Sequence, residues 1–170
     1  DGKYKARFGK PGKKKDQFIL PFGLDVDANG NVYVVDVENN TVQIFTGKGE
    51  FLKKFGQSGA RNGEFFQPSD VAVDENGNIY VVGNFESGSI KFDTFTIQNY
   101  RYYAKNMFLV KYSPDGVVKW VKRAGGADAS HNSYPGGVAV DSIGNVITVG
   151  YWQNGSYFKV NTMNNICDFK

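Results

Sequence analysis

Apolar residues along this chain fall in short runs broken by glycine, asparagine and aspartate, with no stripe at helical spacing. Val71-Ala-Val and Ile79-Tyr-Val-Val flank the sequence Glu75-Asn-Gly. Asn-Gly supplies the positive φ angles of a tight hairpin turn, so this stretch predicts a buried hairpin. The pattern recurs at residues 21–36 and 135–150, with Asp27, Asp74 and Asp141 in equivalent places, 47 and 67 residues apart. Upstream, Phe8-Gly9 matches Phe55-Gly56 at the same 47-residue offset. Repetition on this scale predicts an array of similar supersecondary units.

Two further strands follow each hairpin. In the first unit they are Val42-Gln-Ile-Phe and Phe51-Leu-Lys-Lys-Phe, joined by Gly47-Lys-Gly49. In the second they are Phe108-Leu-Val-Lys-Tyr and Val117-Val-Lys-Trp-Val, joined by Ser113-Pro-Asp-Gly116. The inner runs read as buried on both faces, and the outer ones alternate with lysine as half-exposed strands do. Four strands grading from buried to solvated describe a propeller blade. The expected fold is all-β: a partial β-propeller ring of about three four-stranded antiparallel blades, two complete and two partial. Residues 1–18 supply an outer strand of a preceding blade (Tyr4-Lys-Ala-Arg-Phe8), and residues 19–65 the first whole blade. Residues 66–133 form a second blade with an inserted hairpin, and 134–170 an incomplete one. Propellers close with 4–8 blades, so the remaining blades are expected from the same longer chain or from identical copies.

The stretch from Phe18 to Phe65, with Gly23-Leu-Asp-Val-Asp, Asn31-Val-Tyr-Val-Val-Asp and Asn39-Asn-Thr-Val-Gln-Ile-Phe, resembles an NHL repeat. It departs from that pattern at Thr41, where an arginine is usual. Gly83-Asn-Phe-Glu-Ser-Gly-Ser, Met107-Phe-Leu-Val-Lys-Tyr-Ser-Pro-Asp-Gly, Trp120-Val-Lys-Arg-Ala-Gly-Gly126 and Gly137-Val-Ala-Val-Asp-Ser-Ile-Gly-Asn resemble the bacterial SBBP β-propeller repeat. These resemblances imply a propeller acting as a non-catalytic binding or structural scaffold for a protein or glycan partner, extracellular or at a bacterial cell surface. They also imply two alternatives, a hydrolase or lyase of the six-bladed type and an NHL-type RNA-binding module.

Composition narrows the chemistry. The single cysteine, Cys167, excludes an internal disulfide framework, and the single histidine, His131, excludes a multi-histidine metal centre within the chain. His131 reads as an exposed loop residue and Cys167 as a packed strand residue, so no catalytic residue, metal or cofactor is expected. No run reaches the roughly 18 apolar residues of a membrane span. The net charge of +3 is too small to demand a nucleic-acid partner.

Three features remain as sites. Within the long segment 84–106, Tyr100, Arg101, Tyr102, Tyr103 and Lys105 offer flat aromatic faces with polar tips, suited to a sugar, a peptide or a nucleobase. The plainer reading of that segment is an extra hairpin covering the outer part of the blade. Lys10, Lys13, Lys14 and Lys15, with Arg61 in the equivalent loop of the next unit, form a basic patch. The turns at Asp27, Asp74 and Asp141 space oxygen atoms somewhat as calcium loops do, but glycine arrives two positions early and no bidentate glutamate follows. An aspartate fixing its own turn accounts for them without metal.

Overall fold

A computed structural model of the chain describes residues 2–4, 7–56, 67–99, 104–124, 132–152 and 161–162. All regular structure among them is β, and no helix is long and apolar enough to cross a membrane. A short bridge, β1 (Lys10–Pro11) beside β2 (Gln17–Phe18), precedes the first blade. That blade is β3 (Pro21–Val26), β4 (Val32–Asp36), β5 (Thr41–Phe45) and β6 (Phe51–Phe55), hydrogen-bonded in chain order. The second begins with β7 (Pro68–Val73) and β8 (Ile79–Phe85). It is interrupted by a hairpin of β9 (Ser89–Phe92) and β10 (Phe95–Gln98), then resumes with β11 (Asn106–Tyr112) and β12 (Val118–Ala124). The third contains β13 (Ser133–Val140), β14 (Val146–Trp152) and β15 (Asn161–Thr162). Every ladder inside the three blades is antiparallel.

The three repeated hairpins form as the pattern predicts, but their turns are of another kind. Only the glycines Gly30, Gly77 and Gly144 take positive φ, between 77° and 84°; Asn29 and Asn76 do not. Each turn is closed by the glycine N–H donating to the aspartate carbonyl three residues back, at 2.8 to 3.0 Å. This is a type I turn ending in a bulge glycine. The aspartate side chain selects it, because Asp27 Oδ1 accepts the N–H of both Asn29 and Asn31. A residue without left-handed tendency therefore fits before the glycine, as Ile143 does in the third turn.

The blades stack face to face. Tyr33, Val35, Val42 and Ile44 of the first blade meet Val71, Val73, Ile79, Val81, Phe108 and Val110 of the second in one buried cluster. The opposite face of the second blade, with Ala72, Tyr80, Val82, Met107 and Leu109, packs on Val138, Val140 and Val146 of the third. Burying each such side chain contributes roughly 1.5–3 kcal/mol.

Stacked blades leave the N–H groups of each innermost strand without a ladder partner on one side, and two carboxylates meet that need. Asp25 Oδ2 accepts the Val73 N–H of the second blade at 2.7 Å, and Asp70 Oδ2 accepts the Val138 N–H of the third at 2.9 Å. The approach is close: a Cβ on Gly23 would stand 2.7 Å from Asp70 Cα and 2.8 Å from the Ser69 carbonyl oxygen. Glycine at position 23 is therefore a packing requirement.

The inserted hairpin lies inside the first seam. Ile90 and Phe92 are fully buried in the cluster between blades one and two, with the Phe92 ring 5.2 Å from that of Phe108. Packed sheets that meet at an axis diverge outward, and this hairpin fills the resulting wedge. Next to it, Lys53, Phe55, Asp93, Tyr112 and Val118 line a residual cavity of about 210 Å³.

The strand expected over residues 4–8 is not seen among its described residues. Tyr4 is exposed, residues 7–9 are irregular, and the Phe8 ring lies 4.9 Å from that of Phe45. Tyr4, Arg7 and Phe8 join no ladder, and the ring contact of half-buried Phe8 with Phe45 places the end of the segment.

Candidate functional site

At one end of the blades gather the turn 37–40, the loop 10–18 and the segment around Lys105. Loop 10–18 is fastened by side chains rising from the sheet beneath it. Gln43, fully buried in β5, accepts the Asp16 N–H at 3.0 Å and donates to the Gln17 carbonyl at 2.7 Å. Asn39 donates to the Gly12 carbonyl at 2.9 Å. Buried Asp36 accepts the N–H groups of Ile19 and Leu20, each at 2.9 Å. On the outer side Lys54 donates to the Lys13 carbonyl, and the Lys15 ammonium lies 5.8 Å from the centre of the Phe51 ring. Lys10, Lys13, Lys14 and Lys15 are all exposed, and no carboxylate among the described residues stands within ion-pair reach of any of them. A backbone fixed at this many points presents its cations with little ordering left to do, which lowers the entropic cost of binding. Arg61, the fifth member of the predicted patch, lies outside the described residues.

Of the aromatic candidates, Tyr100, Arg101, Tyr102 and Tyr103 also lie outside the described residues, as do His131 and Cys167. Lys105 stands between the second and third blades. Its ammonium is 3.2 Å from Glu86, 3.4 Å from Gln67 Oε1 and 5.6 Å from the centre of the Tyr134 ring. Its N–H donates to Asn132 Oδ1, and its carbonyl accepts the Ser133 N–H. Lys105 is thus committed to joining two blades. Tyr134 stacks on Tyr151 across the β13–β14 ladder, with centroids 4.9 Å apart.

The opposite end carries the aspartate turns and a polar cleft of about 320 Å³ between the first two, reached by Tyr33, Glu75 and Pro114. The carboxylates here are engaged. Asp74 accepts the N–H of Asn76 and Asn78, the Asn78 side-chain amide and the Tyr80 hydroxyl, at 2.7 to 3.0 Å. Asp27 accepts the same set from Asn29, Asn31 and Tyr33. Burial pushes the Asp27 and Asp74 carboxyls up, yet the bonds from Asn31 and Asn78 outweigh it, so both sit below the ordinary carboxylate range. Asp141 is lowered mainly by the Asn145 amide. Burial next to Asp27 raises the Tyr33 hydroxyl to about 12. Among the described residues no three His, Cys, Asp or Glu side chains gather as metal ligands.

Sequence reasoning passed over Asp25, Asp36, Gln43 and Asp70. The signal for two of them was a polar residue within or ending an otherwise buried strand, as in Val34-Val-Asp36 and Thr41-Val-Gln43. Burial raises the Asp70 carboxyl and the charge of Asp25 adds to it, while the N–H groups of Val138 and Val71 oppose the shift.

Face-to-face four-stranded antiparallel sheets, joined along their innermost strands and carrying loops at both ends, define a β-propeller. A family model described as a 6-bladed beta-propeller, DUF5128, matches residues 23–151, and the chain belongs to that family. Among solved structures the chain is similar to a catalytically inactive virginiamycin B lyase from Staphylococcus aureus with quinupristin, at 10% identity and a TM-score of 0.40. It is likewise similar to the selenomethionine-substituted form of that lyase, at 10% identity and a TM-score of 0.38. In both, 85% of this chain is covered, and it spans 56% of the other's length. No curated protein matches the chain.

Proposed function

We propose that this chain is part of a non-catalytic binding scaffold, with NHL-like and SBBP-like blades, working outside the cell or at its surface. Its loop-bearing end docks an acidic protein or glycan partner. The observation that carries this reading is loop 10–18: four exposed lysines with no carboxylate partner among the described residues, on a backbone pinned by buried Gln43 and Asp36. Solvated charge alone does not call for buried side chains dedicated to holding the loop, whereas recognition does.

The test is titration of the chain with poly-glutamate and with polygalacturonate at low and high salt. Binding that weakens with salt and falls at least tenfold in the combined variant Lys13→Ala, Lys14→Ala, Lys15→Ala, at unchanged thermal midpoint, supports the reading. Equal binding by the variant and the parent chain, or none by either, contradicts it. Tighter binding of a single-stranded RNA than of either acidic polymer would move the assignment to nucleic acid.

A further inference from the structure

The inserted hairpin does not fill the whole wedge between blades one and two, and the cavity it leaves measures about 210 Å³. The floor is buried and aromatic. Phe92 is fully enclosed, Tyr112 is buried, and half-buried Phe55 leans on Tyr112 with ring centroids 5.3 Å apart. Burial pushes the Tyr112 hydroxyl up, so the floor is uncharged at neutral pH. Half-buried Val118 closes one wall. Two exposed members, Lys53 and Asp93, bring one charge of each sign to the mouth. Lys53 donates to the Asp115 carbonyl at 3.0 Å, and its ammonium lies 2.8 Å from where a Cβ on Gly116 would stand. That bond uses one of three donors, and no carboxylate among the described residues pairs with the ammonium. Asp93 sits in the two-residue turn between Phe92 and Phe95 at a φ of 53°, a left-handed backbone that glycine adopts more readily.

We propose that this cavity binds a free aromatic α-amino acid, its ring among Phe55, Phe92 and Tyr112, its carboxylate at Lys53 and its ammonium at Asp93. Size and charge both point that way. An apolar cavity of about 150 Å³ takes up benzene, so this one has room for a ring and a short chain. A ring packed on aromatic walls gains edge and face contacts beyond the area it buries. A mouth with one cation and one anion complements a zwitterion, whereas a ligand of single charge leaves one mouth group unanswered. Both sheets that enclose the cavity are complete four-stranded blades. None of its lining belongs to loop 10–18, so the inference stands apart from what the lysines bind.

Titration of the whole chain with L-phenylalanine, followed through the amide NMR shifts of Tyr112 and Val118, tests the proposal. A ligand of this size should bind with a dissociation constant on the order of 1 mM. Phenylethylamine, which lacks the carboxylate, and phenylpropionate, which lacks the ammonium, should each bind about three- to fivefold more weakly. Lys53→Met should abolish the preference for phenylalanine over phenylethylamine, and Asp93→Asn its preference over phenylpropionate. Both changes fall at exposed positions, so the thermal midpoint should hold. No saturable shift up to about 20 mM phenylalanine overturns the proposal. So do equal binding of all three ligands, preferences unaltered in the two variants, or leucine binding as tightly as phenylalanine.

Discussion

Between the first and second blades the outer part of the seam is occupied by Ile90 and Phe92 from the inserted hairpin, packed on Phe108. Between the second and third, the sheet fills its own seam with Met107, Tyr80 and Trp120, the last two rings 6.0 Å apart. Both solve one problem. Blades touching at the axis separate toward the rim, and the outer volume must be filled to the density of a protein interior. A long insertion is one solution and a few large side chains are another. The hairpin Ser89–Gln98 of the second unit is therefore accounted for by packing, before any ligand is considered.

The comparison breaks most readily at its fully buried aromatic. Phe92→Ala should cost about 3–5 kcal/mol, since the ring is wholly enclosed and the wedge cannot collapse around the gap. Trp120→Ala, at a partly buried position, should cost about 2 kcal/mol. Urea midpoints at constant m-value measure both, and the reverse order would mean that the second seam carries the load.

Acid sharpens the comparison through two kinds of aspartate. The folded pKa of Asp74 is lowered, so its stabilisation is complete above the ordinary carboxylate range and is lost as pH falls through that range and below. Asp74→Ala should cost about 1–2 kcal/mol at neutral pH and progressively less below about pH 4. The folded pKa of Asp70 is raised, so its contribution has the opposite sign: stability falls as pH rises from the ordinary range to that raised value. Asp70→Asn, which keeps an acceptor for Val138, should be neutral in acid and stabilising by roughly 0.5 kcal/mol at neutral pH. Unfolding at several pH values, with both variants losing stability in parallel, would contradict the assignment of the two roles.

The hairpins, the strand boundaries of the first blade and the presence of an inserted hairpin were legible in the chain because each rests on a local pattern. Alternation, glycine at a left-handed position and a repeated aspartate need no tertiary context. The turn type was not legible from Asn-Gly, since the Asp27 carboxylate, binding backbone two and four residues on, sets it instead. The hairpin's position inside the seam depends on the divergence of two sheets, which no single stretch encodes. Asp25 and Asp70 escaped because each stands once: their counterparts are Ala72 and Ala139 in one case, Gly23 and Gly137 in the other. Comparing repeats reads such positions as drift. The lysines were legible as a charged run, but Gln43 and Asp36, which hold their loop, read as ordinary polar strand residues.

Amide hydrogen exchange at Val73 and Val138 tests the stacking of these blades most directly. Each N–H sits on an innermost strand and is bonded only across the seam, to Asp25 and Asp70 respectively. Both should exchange far more slowly than exposed edge amides, and Asp25→Ala should release Val73 alone while Asp70→Ala releases Val138 alone. Fast exchange at both sites in the unaltered chain would mean that the blades do not meet along their inner strands.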